Sequence, residues 1–325
     1  MSVAVTGSIA TDHLMSFPGR FAEQFVEGQM DNVSLSFLVD DLVQHRGGAG
    51  ANIAYGMALL GLRPVLVGAV GSDFGDFDAW LSRHGVDTAS VHWSQLRHTA
   101  RFVCTTDASN NQIASFYSGA MVEAADIELA PVQQRVGELD LVVVGPNDPT
   151  AMVRHTEECR ERGYRFAADP SQQLAWADGA MIRSLVHGAE ILFTNEYEAA
   201  LLCQKTGWTP EEVLERVGTW VTTRSAEGVL VRSAGQEPLE VIAVPETKPV
   251  EPTGGGDALR AGFIAGLMWG LSLERATQLG SAVATEAVEV VGTQEYQLHR
   301  EPFLERFADA FGRDAAAEIA AHLPG

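Results

Sequence analysis

Glu251-Pro252-Thr253-Gly254-Gly255-Gly256-Asp257 runs into Ala258-Leu259-Arg260-Ala261-Gly262-Phe263, so three glycines and an aspartate stand where a small-residue helix is expected to begin. The first N–H groups of a helix lack partners and carry partial positive charge, so they attract anions. Glycines at 254–256 let that backbone approach a phosphate with no Cβ in the way. Asp257 would itself repel a phosphate. It is better placed to take a proton from a hydroxyl that attacks one. A flexible turn with an Asp N-cap is the plainer alternative, which the rest of the chain must displace.

Other candidates follow the same pattern of loop before helix. Gly47-Gly48-Ala49-Gly50-Ala51-Asn52 precedes a helix at 53–60. Backbone amides freed by Gly48, with the donor and acceptor of Asn52, suit a substrate hydroxyl, although Asn52 also suits an N-cap. A dinucleotide fingerprint fails because Ile53 stands where the third glycine belongs. Asp12 lies a few residues beyond a first strand at 3–7, where open α/β sheets bind ligands; its carboxylate suits two vicinal hydroxyls or a simple turn. Asn195 and Glu198 follow a strand at 190–194. Glu198 could hold Mg2+ through water with Asn195 near phosphates, or the two could form a capping box. Gln172 and Gln173 offer amides to a purine edge. Phe102 and Phe116, on facing strands of an expected hairpin, either stack on a base or pack the hairpin.

The elements that must position these residues are legible in outline. A strand at 3–7, a half-exposed strand within 33–46, a helix at 50–60 and a strand at 64–71 come first. A hairpin follows, 101–106 with 112–117 around Asp107-Ala108-Ser109-Asn110-Asn111. Strands at 140–145, 164–168 and 190–194 then alternate with helices near 149–162 and 178–187, which predicts a parallel sheet covered by helices. A hairpin at 228–233 and 239–244 and helices at 257–270, 273–291 and 301–322 close the chain. The expected architecture is one α/β domain over 1–325, with a β lid formed by insertions at about 13–46 and 98–118.

Composition narrows the function. The 325 residues are 46% hydrophobic with mean hydropathy near zero, enough for a large core in a soluble protein. A formal charge of −21 argues against nucleic-acid or anionic-membrane partners. No apolar run approaches the ~20 residues of a membrane span, and no basic leader precedes an apolar core. Three separated cysteines, Cys104, Cys159 and Cys203, fit reduced thiols in cytoplasm. Without CxxC or HExxH a zinc site is not expected. Of 22 basic side chains only Lys205 and Lys248 are lysines, and neither follows a glycine-rich loop. ATP chemistry would therefore proceed without a P-loop lysine, relying on Mg2+ and backbone amides.

Gly47-Gly48 with Asn52, Gly68-Ala69-Val70-Gly71-Ser72-Asp73-Phe74-Gly75, Asn195-x-x-Glu198 and Thr253-Gly254-Gly255-Gly256-Asp257 come in the order and spacing of the ribokinase-like (PfkB) carbohydrate and nucleoside kinases, which the chain resembles over nearly its whole length. Within that family Gly7-Ser8-Ile9-Ala10-Thr11-Asp12-His13-Leu14, His98-Thr99-Ala100-Arg101-Phe102, Ala168-Asp169-Pro170-Ser171-Gln172-Gln173-Leu174 and Gly292-Thr293-Gln294-Glu295 make it similar to the mycobacterial-type bacterial adenosine kinases. The resemblance implies a ribokinase-like three-layer fold and transfer of the ATP γ-phosphoryl to the 5′-hydroxyl of adenosine, giving AMP and ADP.

By the same resemblance Asp257 is the general base, and the amides of Gly254, Gly255 and Gly256 stabilise the transferring phosphoryl. Asp12, Gly48 and Asn52 hold the ribose with Ser8 nearby. Phe102 and Phe116 sandwich the adenine, and Ser36, Gln172 and Gln173 touch its polar edge. Asn195 and Glu198 organise Mg2+ and phosphate; Thr223 and Gly228 belong to the ATP loop. ATP and Mg2+ are the implied cofactors, a monovalent cation is left open, and a homodimer through the lid edges is expected. The chain departs from the pattern at Glu251 (usually Asp), Ser225 (commonly Gly) and Trp176 (Arg in related adenosine kinases). Alternatives are a kinase of another nucleoside or of a free pentose or hexose, or a non-catalytic nucleoside-binding protein on the same fold.

Overall fold

Val3–Thr6, Leu141–Val144, Phe166–Ala168 and Val65–Val67 are short strands buried along their whole length. Helices on both faces of a sheet produce such runs, with no polar alternation. The computed structural model of the chain describes residues 2–25, 36–248 and 250–325. In it the central sheet has eight strands, ordered Leu239–Val241, Val229–Ser233, Thr219–Thr223, Ile191–Asn195, Phe166–Ala168, Leu141–Val144, Val3–Thr6, Val65–Val67. The six from Thr219–Thr223 to Val65–Val67 are parallel, and the closing hairpin is antiparallel. Alternate strand residues feed opposite cores. Val5, Leu141 and Val143 pack with Phe263 and Leu279 on one side. Ala4, Val142 and Val144 pack with Met152, Ile182 and Leu202 on the other.

Local chemistry sets the helix ends. Asp148 caps Pro149–Arg162 by accepting from Thr150 N and Ala151 N, and Gly163 stops it at φ 70°. The small residues of Gly255–Met268 allow close approach to Leu273–Val288. A Cβ on Gly262 would lie 2.8 Å from Gly280 Cα, and one on Gly266 would lie 2.7 Å from Ala276 Cα. The expected closing helix at 301–322 is two helices, Arg300–Phe311 and Arg313–Ala320, because Gly312 turns the chain at φ 93°.

A second sheet, of four strands, runs Asp41–Gly47, Ala10–Ser16, Ala100–Thr106, Gln112–Tyr117. Two of its strands depart from the sequence reading. Ala10–Ser16 takes the place of a turn after the first strand. The expected 33–46 strand is confined to Asp41–Gly47; residues 36–40 are irregular, and positions 33–35 lie outside the described residues. The expected 64–71 strand divides at Gly68, after which Ala69–Val70 pairs with His92–Trp93 in a small separate sheet. Among the described residues no helix is long and apolar enough to cross a membrane.

Candidate active site

The helix Gly255–Met268 starts from Gly254 at φ 85°, and no side chain caps it. A Cβ on Gly254 or Gly255 would lie 2.8 Å from Thr293 Cγ2 or Val288 Cγ1 respectively, so the start accommodates only glycine. Asp257 sits in the first turn and accepts a 2.8 Å hydrogen bond from Asn52 Nδ2. Its helix position favours the ionised form, but burial outweighs it and pushes the carboxyl up to about 6. Arg260 and the Asn52 hydrogen bond pull it down, while Asp169 and Glu198 push it further up. Such a carboxylate is still ionised at neutral pH and is a stronger base than an ordinary one.

Asn52, expected on the ribose, is here turned onto Asp257, and its Oδ1 accepts from Gln294 Nε2 at 2.9 Å. One turn beyond Asp257, Arg260 Nη2 donates to Asp169 Oδ1 at 2.7 Å and its Nε lies 2.6 Å from Asp169 Oδ2. Asp169 is fully buried and Arg260 nearly so. The sequence reading assigned neither a role. Their pairing keeps a positive charge beneath the glycine run without leaving a buried carboxylate alone. A Cβ on Gly256 would lie 2.8 Å from Arg260 Nη1, which puts the guanidinium directly under the helix start.

The four-stranded sheet presents a row of register partners: His45 with Asp12, Asp12 with Phe102, and Phe102 with Phe116. Direct partners share a face. The His45 end of the row lies beside the glycine run: a Cβ on Gly292 would lie 2.7 Å from His45 Nδ1, and the next residue, Thr293, packs on Gly254. Burial pushes the Asp12 carboxyl up to about 6, with His45 opposing and Glu251 adding to the rise. Phe102 and Phe116 are cross-strand partners on one face of this sheet. Phe116 is 55% exposed.

Gly48, at φ 91°, packs against the backbone of Ser8 and Ala10. Ser8 Oγ accepts from Ala49 N at 3.0 Å, which leaves its proton free. Gln173 Nε2 donates to Asn147 O at 2.9 Å, and Gln172 is exposed beside it. The Asn147 side chain was missed by the sequence reading: it is buried and its Nδ2 has no partner among the described residues. Ser36 is exposed, and no hydrogen bond ties it to this group among the described residues. Its neighbour Phe37 packs on Phe17 and Phe21 instead.

On the other side of the helix start lies a cleft of ≈ 870 Å³, lined by Thr223, Ser225, Gly228, Val250, Gly255, Gly256, Leu259 and Val288. It unites Thr223, Gly228 and Gly256, as the sequence reading requires, but Asn195 is not in the lining. Asn195 and Glu198 form a full capping box, each side chain bonded at 2.8 Å to the other's backbone N–H. Glu198 keeps one carboxylate oxygen uncommitted, and burial raises its pKa, opposed by Arg260. An ion carried by phosphate oxygens fits there. Among the described residues no three His, Cys, Asp or Glu side chains form a metal cage. Ser225 adopts φ 50°, the left-handed conformation of the glycine it replaces in the pattern. Glu251 Oε2 accepts from Gly292 N at 3.1 Å, and Trp176 is exposed.

A model of the pfkB family of carbohydrate kinases matches residues 8–300. The chain belongs to that family, has the ribokinase-like fold and is an ATP-dependent phosphotransferase. Among its relatives, the nucleoside kinase of Methanothermobacter thermautotrophicus is 33% identical over 251 residues, 76% of this chain and 80% of that protein. The nucleoside kinase of Methanocaldococcus jannaschii is 26% identical over 297 residues, 90% and 92% of the two chains. The nucleoside kinase of Burkholderia thailandensis, solved in complex with inosine, superposes with a TM-score of 0.82 at 33% identity, covering 96% of this chain and 98% of that one.

Proposed function

We propose that this kinase transfers the γ-phosphoryl group of ATP to the 5′-hydroxyl of a nucleoside, with adenosine as the acceptor. The observation that carries the reading is the row Asp12–Phe102–Phe116, whose neighbouring His45 meets Gly292 beside the helix start that bears Asp257. It offers a carboxylate for vicinal ribose hydroxyls and, beside it, an aromatic platform for a base; a free sugar has no use for the platform. Gln172, Gln173 and the Nδ2 of Asn147, unpartnered among the described residues, are the groups we assign to the polar edge of the base, and Gln173 donates to the Asn147 carbonyl. Relatives named nucleoside kinases support the class, and the inosine complex of one of them favours a second reading, another purine nucleoside.

In this reading the acceptor hydroxyl lies at Asp257, which takes its proton as the oxygen attacks the γ-phosphorus. The amides of Gly256 and Asp257, and that of Gly255 once it leaves Pro252 O (3.3 Å), receive the charge of the transferring group. ATP occupies the cleft at Thr223, Gly228 and Gly256, with its apolar wall at Val250, Leu259 and Val288 against the base. Mg2+ would supply charge neutralisation of the phosphates when bound, and Glu198 would hold it through water. The four-stranded sheet closes as a lid and excludes water. We further read the protein as cytoplasmic and as a homodimer joined through that sheet. Among the described residues its outer strands, Asp41–Gly47 and Gln112–Tyr117, have unpaired edges and carry exposed Leu42, Ile113 and Tyr117.

ADP release with adenosine, inosine, ribose and fructose tests the acceptor. Adenosine is expected to turn over fastest, and changing both Phe102 and Phe116 to Ala should cost nucleoside turnover at least ~10-fold, about 1.4 kcal/mol of stacking. Turnover confined to a free sugar, or undiminished nucleoside turnover in the double variant, would end the nucleoside reading.

A further inference from the structure

We propose that Gln294 is a positioning residue for Asp257, acting through the side-chain amide of Asn52. The inference rests on the reading of Asp257 as the base. Asn52 has two ways to lie between its neighbours. With Gln294 Nε2 donating to its Oδ1 at 2.9 Å, Asn52 must turn its Nδ2 to Asp257, where it donates at 2.8 Å. Turned the other way, it would set its oxygen against the carboxylate, an arrangement that only a protonated Asp257 tolerates. The orientation seen here is the one that favours an ionised base.

Thr293 cannot hold the amide alone. Its hydroxyl has one proton and two acceptors, Asn52 Oδ1 and Arg46 O, each at 2.9 Å. Gln294 is committed to Asn52. It is fully buried, and its Oε1 has no partner among the described residues. Packing alone would be better served by a methionine of similar volume, because an unpartnered buried amide oxygen is unfavourable. What the amide contributes is the Nε2–H that orients Asn52.

The groups facing Asp257 are Arg260 on its own helix, Glu198 on Glu196–Thr206, Asp169 after Phe166–Ala168, and the buried phenol of Tyr296. Among the described residues none of them has a hydrogen bond to the Gln294 side chain, so in the uncharged Gln294→Met variant a shift in the pH profile reports on Asn52. The experiment is steady-state kinetics of the full-length protein against pH, using whichever of adenosine, inosine, ribose and fructose the wild type turns over fastest. Gln294→Met should lower kcat about tenfold with KM for ATP held within about twofold, and should move the acid limb up by roughly half a unit. Gln294→Glu, which draws the Asn52 nitrogen away from Asp257 and adds a like charge of its own, should move the limb up by about one unit or more. Thr293→Val should show a smaller loss in the same direction. Circular dichroism establishes that each variant is folded, and if Gln294→Glu is not, Gln294→Met decides alone. Folded Gln294 variants with wild-type kcat and superimposable pH profiles would overturn the proposal. An Asp257→Asn enzyme with wild-type turnover would overturn the base reading, and with it the ground for the proposal, whatever Gln294 does.

Discussion

The side chains to which the proposed function gives the chemistry divide by how far their partners lie along the chain. Gly254 to Asp257 are one local string, and the physics of a helix start is enough to read them. The support of Asp257 is not local: Asn52 meets Gln294 across 242 positions, and Arg260 meets Asp169 across 91. No spacing rule reaches that far, so the sequence reading gave Asn52 to the ribose and gave Arg260 nothing. The only advance sign was Arg260 standing three residues after Asp257, on the same helical face. The carboxyls of Asp257 and Asp12, both pushed up to about 6 by burial, set the pH behaviour. Each must be ionised to act, so kcat/KM should fall as pH drops through about 6. Stability has the opposite sign. A raised folded-state pKa contributes stability below the unfolded value and loses it as pH rises through the folded one. Asp257→Asn should therefore raise the melting temperature at pH 7.5, and the gain should vanish as pH falls toward 4. A melting-temperature difference independent of pH would contradict this account of the site's electrostatics.

At the scale of elements, strands and helices with a strong period or clear caps lie where the sequence puts them. Pro149–Arg162 is bounded by Asp148 and Gly163, and its expected span is the observed one. Elements that depend on tertiary pairing were the ones lost. Ala10–Ser16 has no apolar alternation and becomes a strand only between Asp41–Gly47 and Ala100–Thr106. That loss hid the row in which Asp12 and the two phenylalanines stand. The helix carrying Asp257 is held by backbone-close packing at Gly262 and Gly280. Gly262→Ala should overpack this contact and destabilise the fold by about 1–3 kcal/mol, measured by denaturant unfolding. It should also disturb the helix start one to two turns away, lowering kcat. A variant as stable as the wild type would mean that the two helices are free to part.

For the whole molecule, the start of Gly255–Met268 lies in the wall of the ≈ 870 Å³ cleft, and the His45 strand of the four-stranded sheet meets Gly292 beside it. The α/β class was legible because helix-strand alternation has few topological solutions. The expected insertions at about 13–46 and 98–118 supply strands of the four-stranded sheet, but the order in which those strands pair was not legible, because it depends on segments far apart in the chain. If the lid edges join two copies, light scattering at micromolar concentration should give about twice the 34.9 kDa chain mass; a monomer would refute the dimer and leave the catalytic account untouched. The central claim, that Asp257 drives phosphoryl transfer to a nucleoside 5′-hydroxyl, is tested most directly by AMP formation from adenosine and ATP in a single turnover, wild type against Asp257→Asn. The account predicts a loss of about 10²–10⁴-fold with adenosine still bound, whereas transfer within a few fold of wild type would contradict it.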